Sequence, residues 1–273
     1  MIAPTPTLAC SNCNLLGLCM PVGLSAREQK NVDGLVESRR KISKGQTLFD
    51  SGMPFRSLFA IRSGVFKTSL LHEDGHEQIT GFHMSADMMG LEGIVEGEHR
   101  CDAVALEDSE ICEIPFDRMS DITQEFPVMQ HYVHRMMSSE IVRDNGMMML
   151  LGHAQAEERL AAFFVNWRQR MLTRGFSGTR LILRMTRQEI GNYLALTVET
   201  VSRTLTKFSK IGVLFVDGRE IRILDTQGLT AIGKGQALAN TDHPVEKSPR
   251  NQAGHTDPCS GTTTRKCSSR SMR

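Results

Sequence analysis

Between residues 42 and 116 the chain repeats one pattern, a short apolar run followed by a turn signal. The runs fall at 47–49, 57–62, 65–71, 78–82, 102–106 and 110–114, and the punctuation is Lys44-Gly45, Ser51-Gly52, Ser63-Gly64 and Asp74-Gly75. Runs this short and this regularly spaced predict a β-sandwich or barrel, because a helix needs a longer apolar stretch with a period near 3.6. Gly64 and Asp74-Gly75 supply the positive φ angles that tight hairpins require.

From Phe116 the period changes. A long helix is expected from about 127 to 151, with Gln130, His134, Met137, Ile141, Asp144, Met148 and Leu151 in one stripe at heptad-like spacing. The second half of the stripe is apolar except at Asp144. If it faces its own copy in a parallel dimer, two carboxylates meet, and a polar group at such a position trades stability for control of oligomeric state. A further helix, at about 156–174, carries Leu160, Phe163, Phe164 and Trp167 at i, i+3, i+4 and i+7 and is expected to pack inside a second domain. The tail from Thr241 is rich in Ser, Thr, Pro, Arg and Lys without apolar periodicity, and reads as disordered.

The sharpest local pattern lies at 186–208. Thr186 and Glu189 form a T-x-x-E capping box, so a helix starts there. Ile190 and Leu194 share a face, a short break follows at Ala195-Leu196, and Thr197 is a second N-cap. Val201, Leu205 and Phe208 then give the buried face of a second helix. Two short helices joined by a tight turn make a helix-turn-helix. The outward face of the second helix presents Glu199, Thr200, Ser202, Arg203 and Lys207. Such helices set their N-terminal residues against base edges in the major groove. There Arg203 suits guanine O6 and N7, Glu199 suits cytosine N4, and Ser202 either base type. A hairpin around Asp217-Gly218 follows, the wing of a winged helix.

Charge is unevenly shared. Residues 1–152 hold 13 Lys and Arg against 21 Asp and Glu, about −8; residues 153–240 hold 13 against 7, about +6. An acidic first part joined to a basic second part suits a sensor attached to a module that meets phosphate. No apolar run approaches the roughly 20 residues that span a membrane. The first twenty residues contain no Lys or Arg, which argues against a signal peptide and for a cytoplasmic location. There is no dinucleotide fingerprint and no catalytic dyad, so an enzyme is not expected.

Three of the seven cysteines, Cys10, Cys13 and Cys19, stand at C-x2-C-x5-C. In a reducing cytosol clustered thiols bind metal or do redox chemistry. Three is one short of a closed four-thiolate site. Zinc and an iron–sulfur cluster would each accept four sulfurs, and spacing alone does not separate them.

The strings Lys44-Gly-Gln-Thr-Leu-Phe49, Glu77-Gln-Ile-Thr-Gly-Phe-His83, Cys112-Glu-Ile-Pro-Phe116, Ala156-Glu-Glu-Arg-Leu-Ala-Ala-Phe163 and Val198-Glu-Thr-Val-Ser-Arg203 carry a resemblance. Over roughly residues 8–235 the chain resembles the FNR family of the cyclic-AMP receptor protein superfamily. The resemblance implies an α+β fold. A cysteine-rich loop (1–24) precedes a cyclic-nucleotide-binding-like antiparallel β-barrel of jelly-roll type (25–122). A dimerisation helix (123–153), a winged helix-turn-helix (154–238) and a disordered tail (239–273) follow. It implies that Cys10, Cys13, Cys19 and Cys112 hold a [4Fe–4S] cluster, with Cys101, eleven residues before Cys112, outside the set and Cys259 and Cys267 ligating nothing. It implies a cytoplasmic, oxygen-responsive activator and repressor of transcription that works as a homodimer. Its seam would be Met137, Ile141, Asp144, Met148 and Leu151; its DNA sites would be palindromes with TTGA-type half-sites; barrel loops would touch RNA polymerase. The alternative is a zinc-stabilised or small-ligand-responsive regulator of the same superfamily. The chain departs from the nucleotide-binding members, since Gly90-Leu-Glu-Gly93 and Arg100-Cys-Asp-Ala103 stand where those hold a cyclic phosphate.

Overall fold

A computed structural model describes residues 10–21 and 24–236. The expected disordered tail, with Cys259 and Cys267, lies outside the described residues. One turn of 3-10 helix, Cys10–Asn12, and the single-turn α1 (Leu16–Cys19) precede α2 (Ala26–Asp33). Ser25 caps α2 in a reciprocal box with Glu28.

Eight strands follow: β1 (Ser38–Ile42), β2 (Thr47–Phe49), β3 (Ser57–Ser63), β4 (Val65–Leu71), β5 (Glu77–Met84), β6 (Met88–Met89), β7 (Asp102–Ala105) and β8 (Ser109–Pro115). They form two four-stranded sheets, ordered β1-β8-β3-β6 and β2-β7-β4-β5. Every pairing is antiparallel. No ladder joins the two sheets among the described residues, so the expected barrel is an open jelly-roll sandwich. Phe59, Ile61, Phe66, Ala103 and Ile111 fill one part of its core. The turn between β3 and β4 requires glycine: Gly64 has φ +102°, and a Cβ there would stand 2.0 Å from the Ser109 hydroxyl.

The chain then turns helical through α3 (Phe116–Glu125) and α4 (Pro127–His153). Pro127 occupies the first turn of α4, where its missing N–H is no loss. At 27 residues α4 is about 40 Å long. The last part holds α5 (Ala156–Thr173), β9 (Arg180–Ile182), α6 (Arg187–Leu194), α7 (Val198–Lys210), β10 (Leu214–Asp217), β11 (Glu220–Ile223) and α8 (Thr226–Gly233). The wing has three strands, ordered β10-β11-β9, where the sequence predicts two.

The core of the last part is not closed off from the sandwich. Leu160, Phe163, Phe164 and Trp167 are buried, as their spacing predicts, but they share one cluster with Phe82 and Met84 of β5. The Phe82 ring packs edge-on against Tyr193, 5.1 Å away, and against Phe163 and Trp167. Polar contacts follow the same seam. The Asn192 side chain of α6 accepts from the Ile79 N–H at 2.6 Å and donates to the Glu77 carbonyl. Asp87, after β5, pairs with Arg170 of α5 and with Arg174, the residue that caps its C-terminus.

Candidate functional site

Cys112 sits in β8, an interior strand paired with β1 and β3. Its cross-strand partners are Arg39 of β1 and Ala60 of β3. Arg62, two residues beyond Ala60, stands where the β3–β8 ladder shifts register between Ile61 and Ser63, and it borders the same pocket. Against this sheet lies the Cys10–Met20 segment. Cys10, Cys13, Cys19 and Cys112 line one pocket with Arg39, Arg62, Val36 and Ile114. Backbone bonds from Cys13 to the Cys10 carbonyl (2.9 Å) and from Leu16 to the Cys13 carbonyl (3.1 Å) coil the segment so that its cysteines face inward. Ser11 anchors it on α2, donating through its N–H and hydroxyl to the two Asp33 carboxylate oxygens at 2.7 and 2.8 Å. At the other end the Tyr132 hydroxyl of α4 donates to the Cys19 carbonyl. Leu16, Cys19 and Met20 pack with Met129, Val133 and Met136 of the same helix.

Burial disfavours thiolates here. It pushes the Cys10 thiol up to about 11, with Cys112 adding to the effect, and the Cys19 thiol up to about 12, with Cys13 adding. Cys112 is raised by burial too, although Arg39 opposes that by hydrogen bonding to its sulfur. Arg62 reaches the Cys13 sulfur and pairs with Glu110, while its buried Nε has no hydrogen-bond partner. Cys10, Cys19 and Cys112, three thiols that ionise with difficulty, stand beside two guanidinium groups and an orphaned donor and suit an occupant that is cationic at its metal atoms and holds acceptors of its own. Among the described residues no three Cys, His, Asp or Glu stand close enough to grip one ion. A lone zinc needs four donors at about 2.0–2.3 Å from one centre. Cys10, Cys13, Cys19 and Cys112 border one pocket, a donor set of four soft sulfurs that an iron–sulfur group takes.

Cys101 is elsewhere. It is buried among Phe49, Phe59 and Met89 and borders a second pocket with Thr68, His83, Glu92, Glu140 and Arg143. His83 is buried there, its Nε2 3.0 Å from the Thr68 hydroxyl, and burial pulls its imidazole down to about 3.

The reader forms from local signals. Thr186 and Glu189 make the expected capping box, and the Thr197 hydroxyl accepts from the Thr200 N–H at 3.2 Å to start α7. Ala195 closes α6 in the left-handed region at φ 52°. Val201, Leu205 and Phe208 are buried, while Glu199, Arg203 and Lys207 are exposed and Thr200 and Ser202 half-buried. Two shallow surfaces run along α7, one lined by Thr197, Glu199, Ser202 and Arg203, the other by Arg203, Thr206, Lys207 and Lys210. Lys207 pairs with Glu157 at 2.6 Å. The motif alone does not reveal Arg187, whose guanidinium donates to the Ser202 hydroxyl at 3.3 Å and adds a cation beside the reading face. Lys210, one turn beyond Lys207, is a further cation on this surface that the sequence reading did not single out.

On α4, Met137, Ile141 and Met148 are 39%, 60% and 67% exposed. Asp144 is exposed between them and Leu151 is half-buried. Val142 and Met149, outside the expected stripe, are exposed as well. A helix carrying this much apolar surface in water marks an interaction face.

Comparisons with known proteins agree with this architecture. Residues 39–126 match the cyclic nucleotide-binding domain and residues 158–232 the Crp-like helix-turn-helix domain. The chain is 42% identical over 231 residues to the transcriptional activator protein anr of Pseudomonas aeruginosa, covering 85% of this chain and 95% of that one. It is 45% identical over 223 residues to the fumarate and nitrate reduction regulatory protein of Escherichia coli K12, covering 82% and 89%. Among solved structures, FixK2 of Bradyrhizobium japonicum superposes with a TM-score of 0.66 at 27% identity, covering 74% of this chain and 98% of that one. The curated relatives are regulators of transcription and not enzymes.

Proposed function

Because this chain belongs to the Crp/FNR family of transcription regulators, we propose that it is an oxygen-responsive regulator whose DNA binding depends on a [4Fe–4S] cluster held by Cys10, Cys13, Cys19 and Cys112. The observation that supports the reading is one pocket lined by all four of these cysteines. When bound, the cluster supplies an oxygen-labile cross-link among four thiolates, with iron favouring just such soft donors.

The chain's own residues do the rest. Cys112 offers a fixed sulfur from a strand hydrogen-bonded on both edges, and Cys10, Cys13 and Cys19 bring a short coiled segment to it. Arg39 and Arg62 place positive charge beside the sulfurs. The held segment packs on the inner side of α4, and the outer side then meets a second copy through Met137, Ile141, Met148 and Leu151. Asp144 from each copy opposes that meeting and keeps the dimer marginal. Dimerisation presents two α7 helices to half-sites one helical turn apart. Arg203, Glu199, Ser202 and Thr200 read base edges, and Lys207 meets phosphate once freed from Glu157. The family relationship extends the proposal to palindromic TTGA-type half-sites, to contact with RNA polymerase, to both activation and repression, and to a cytoplasmic setting.

The test is an anaerobic visible spectrum of the purified protein with iron, sulfide and zinc assays, followed by air. A broad thiolate-to-iron band is expected, bleached by air, abolished by Cys112→Ala and retained in Cys101→Ala. A colourless protein with one zinc per chain would overturn it. A second reading, a regulator answering to a small ligand, rests on the pocket that holds His83, Glu140 and Arg143. It predicts a colourless protein whose DNA affinity follows a metabolite and not air.

A further inference from the structure

The pocket explains how a cysteine segment is held, but not how its state reaches the dimer face. The route lies on α4. Tyr132 stands in the second turn of that helix, and its hydroxyl donates to the carbonyl of Cys19. That carbonyl belongs to the last residue of α1, a helix of only four residues, whose end carbonyls have no partner inside the helix. Around the bond Leu16, Cys19 and Met20 pack against Met129, Val133 and Met136. Apolar packing of this kind resists separation but tolerates sliding. A directional hydrogen bond fixes register.

Geometry on the helix gives that register a consequence. At about 100° per residue, Met137 lies about 140° around the axis from Tyr132. Tyr132 and Met136 therefore grip the cysteine segment on one side, while Met137, Ile141, Asp144 and Met148 look out on the other. Rotation of α4 about its own axis swings the outward stripe away from a facing copy. Tyr132 is the side chain on α4 placed to resist it, because its ring is half-buried in the packing and its hydroxyl is tied to a residue that is itself a proposed ligand.

We propose that Tyr132 is the positioning residue through which the cysteine segment sets the rotation of α4 and so aims the dimer seam. The inference rests on the cluster reading above and assigns its transmission to one hydroxyl. With Cys19 held, its carbonyl is a fixed acceptor and the helix is aimed. With Cys19 released, the acceptor moves and the helix is free to turn.

The test uses the full chain and removes only the hydroxyl. Parent and Tyr132→Phe are reconstituted with iron and sulfide without oxygen, then compared by iron content, visible spectrum and sedimentation equilibrium. Both should take up the same iron with the same band. The dimer dissociation constant of loaded Tyr132→Phe should be about five- to tenfold weaker than that of the loaded parent, the scale of one neutral hydrogen bond. In a Cys112→Ala background, Tyr and Phe at this position should give equal dimer constants, so that the difference appears only when the segment is held. Equal dimer constants in the loaded proteins would overturn the proposal and leave Tyr132 a packing residue. Loss of iron in Tyr132→Phe, or an equal weakening in the Cys112→Ala background, would also overturn it, by assigning the hydroxyl to ligand retention or to plain stability. A parent that takes up no iron sinks the underlying reading instead, and that outcome is visible before any variant is compared.

Discussion

Asp87 offers the most direct measurement of what holds reader to sensor. It lies in the turn after β5, one residue beyond Ala86, which takes φ 71°. One carboxylate oxygen accepts from the Met84 N–H at 2.7 Å, and both oxygens pair with guanidinium groups, Arg170 on one and Arg174 on the other. Arg170 also donates to the Phe82 carbonyl and Arg174 to the Ser85 carbonyl. The three side chains are only 11–17% exposed. Asp87→Asn keeps the shape and removes the charge, leaving two cations with little water and no counter-ion. Breaking one member of such a buried set costs about 3–5 kcal/mol. At about 2–4 °C per kcal/mol for a chain of this size, the melting temperature should fall by roughly 10 °C. The pH dependence gives an independent check. Burial alone would raise the Asp87 carboxyl, but Arg170 and Arg174 together outweigh it and hold it below its ordinary value. A carboxylate depressed in the folded state contributes stability that is complete above its unfolded value near 3.9 and is lost as pH falls through the folded one. Urea unfolding at fixed protein concentration should therefore show a constant gap between parent and Asp87→Asn from pH 8 to 5, narrowing below about pH 4. A gap under about 1 kcal/mol at pH 7, or one that widens on acidification, would refute the reasoning.

Three further outcomes follow from the reader and the long helix. Arg203→Ala should lose about 1–3 kcal/mol of discrimination at one base pair, whereas Lys207→Ala should weaken all sequences alike and lower the salt slope by about one, both read by fluorescence anisotropy across a salt series. Gly191→Ala should destabilise the reader by about 1–3 kcal/mol in urea, because its Cβ would stand 2.6 Å from the Leu196 carbonyl oxygen, a backbone atom that cannot give way. Asp144→Ala should tighten the dimer in air at least about fivefold by sedimentation, since two carboxylates near 4 Å repel by about 1–4 kcal/mol at effective dielectrics of 80 to 20.

The parts of the molecule that announce themselves in sequence are those fixed by local chemistry. Thr186 and Glu189 sit three residues apart because the cap needs that spacing, and Val201, Leu205 and Phe208 repeat because a helix face does. Elements set by tertiary context stayed hidden. β1 reads Ser-Arg-Arg-Lys-Ile with only Ile42 buried, a charged edge strand without apolar alternation. β6 is two residues long and β9 three, too short for any period. The candidate site divides the same way. The C-x2-C-x5-C spacing is visible, but Arg39 and Arg62 reach it only through the registers of β1 and β3 against β8, and Tyr132 only through the packing of α4. Nor does a sequence period reveal that Phe82 of the sensor and Trp167 of the reader share one core.

The four sulfurs are not equally tolerant of a change in chain length. Cys10, Cys13 and Cys19 belong to a segment of two short helical turns, where an added residue turns the following side chains by about 100° and a short stretch of chain can readjust. Cys112 is woven into a strand whose neighbours on either side are registered against it. One residue inserted ahead of it in β8 would turn its sulfur to the opposite face and put a neighbour such as Ile111 in its place. The Cys10–Cys19 segment is therefore the more forgiving of a change in length, whereas a length-altered β8 has no fourth donor to offer.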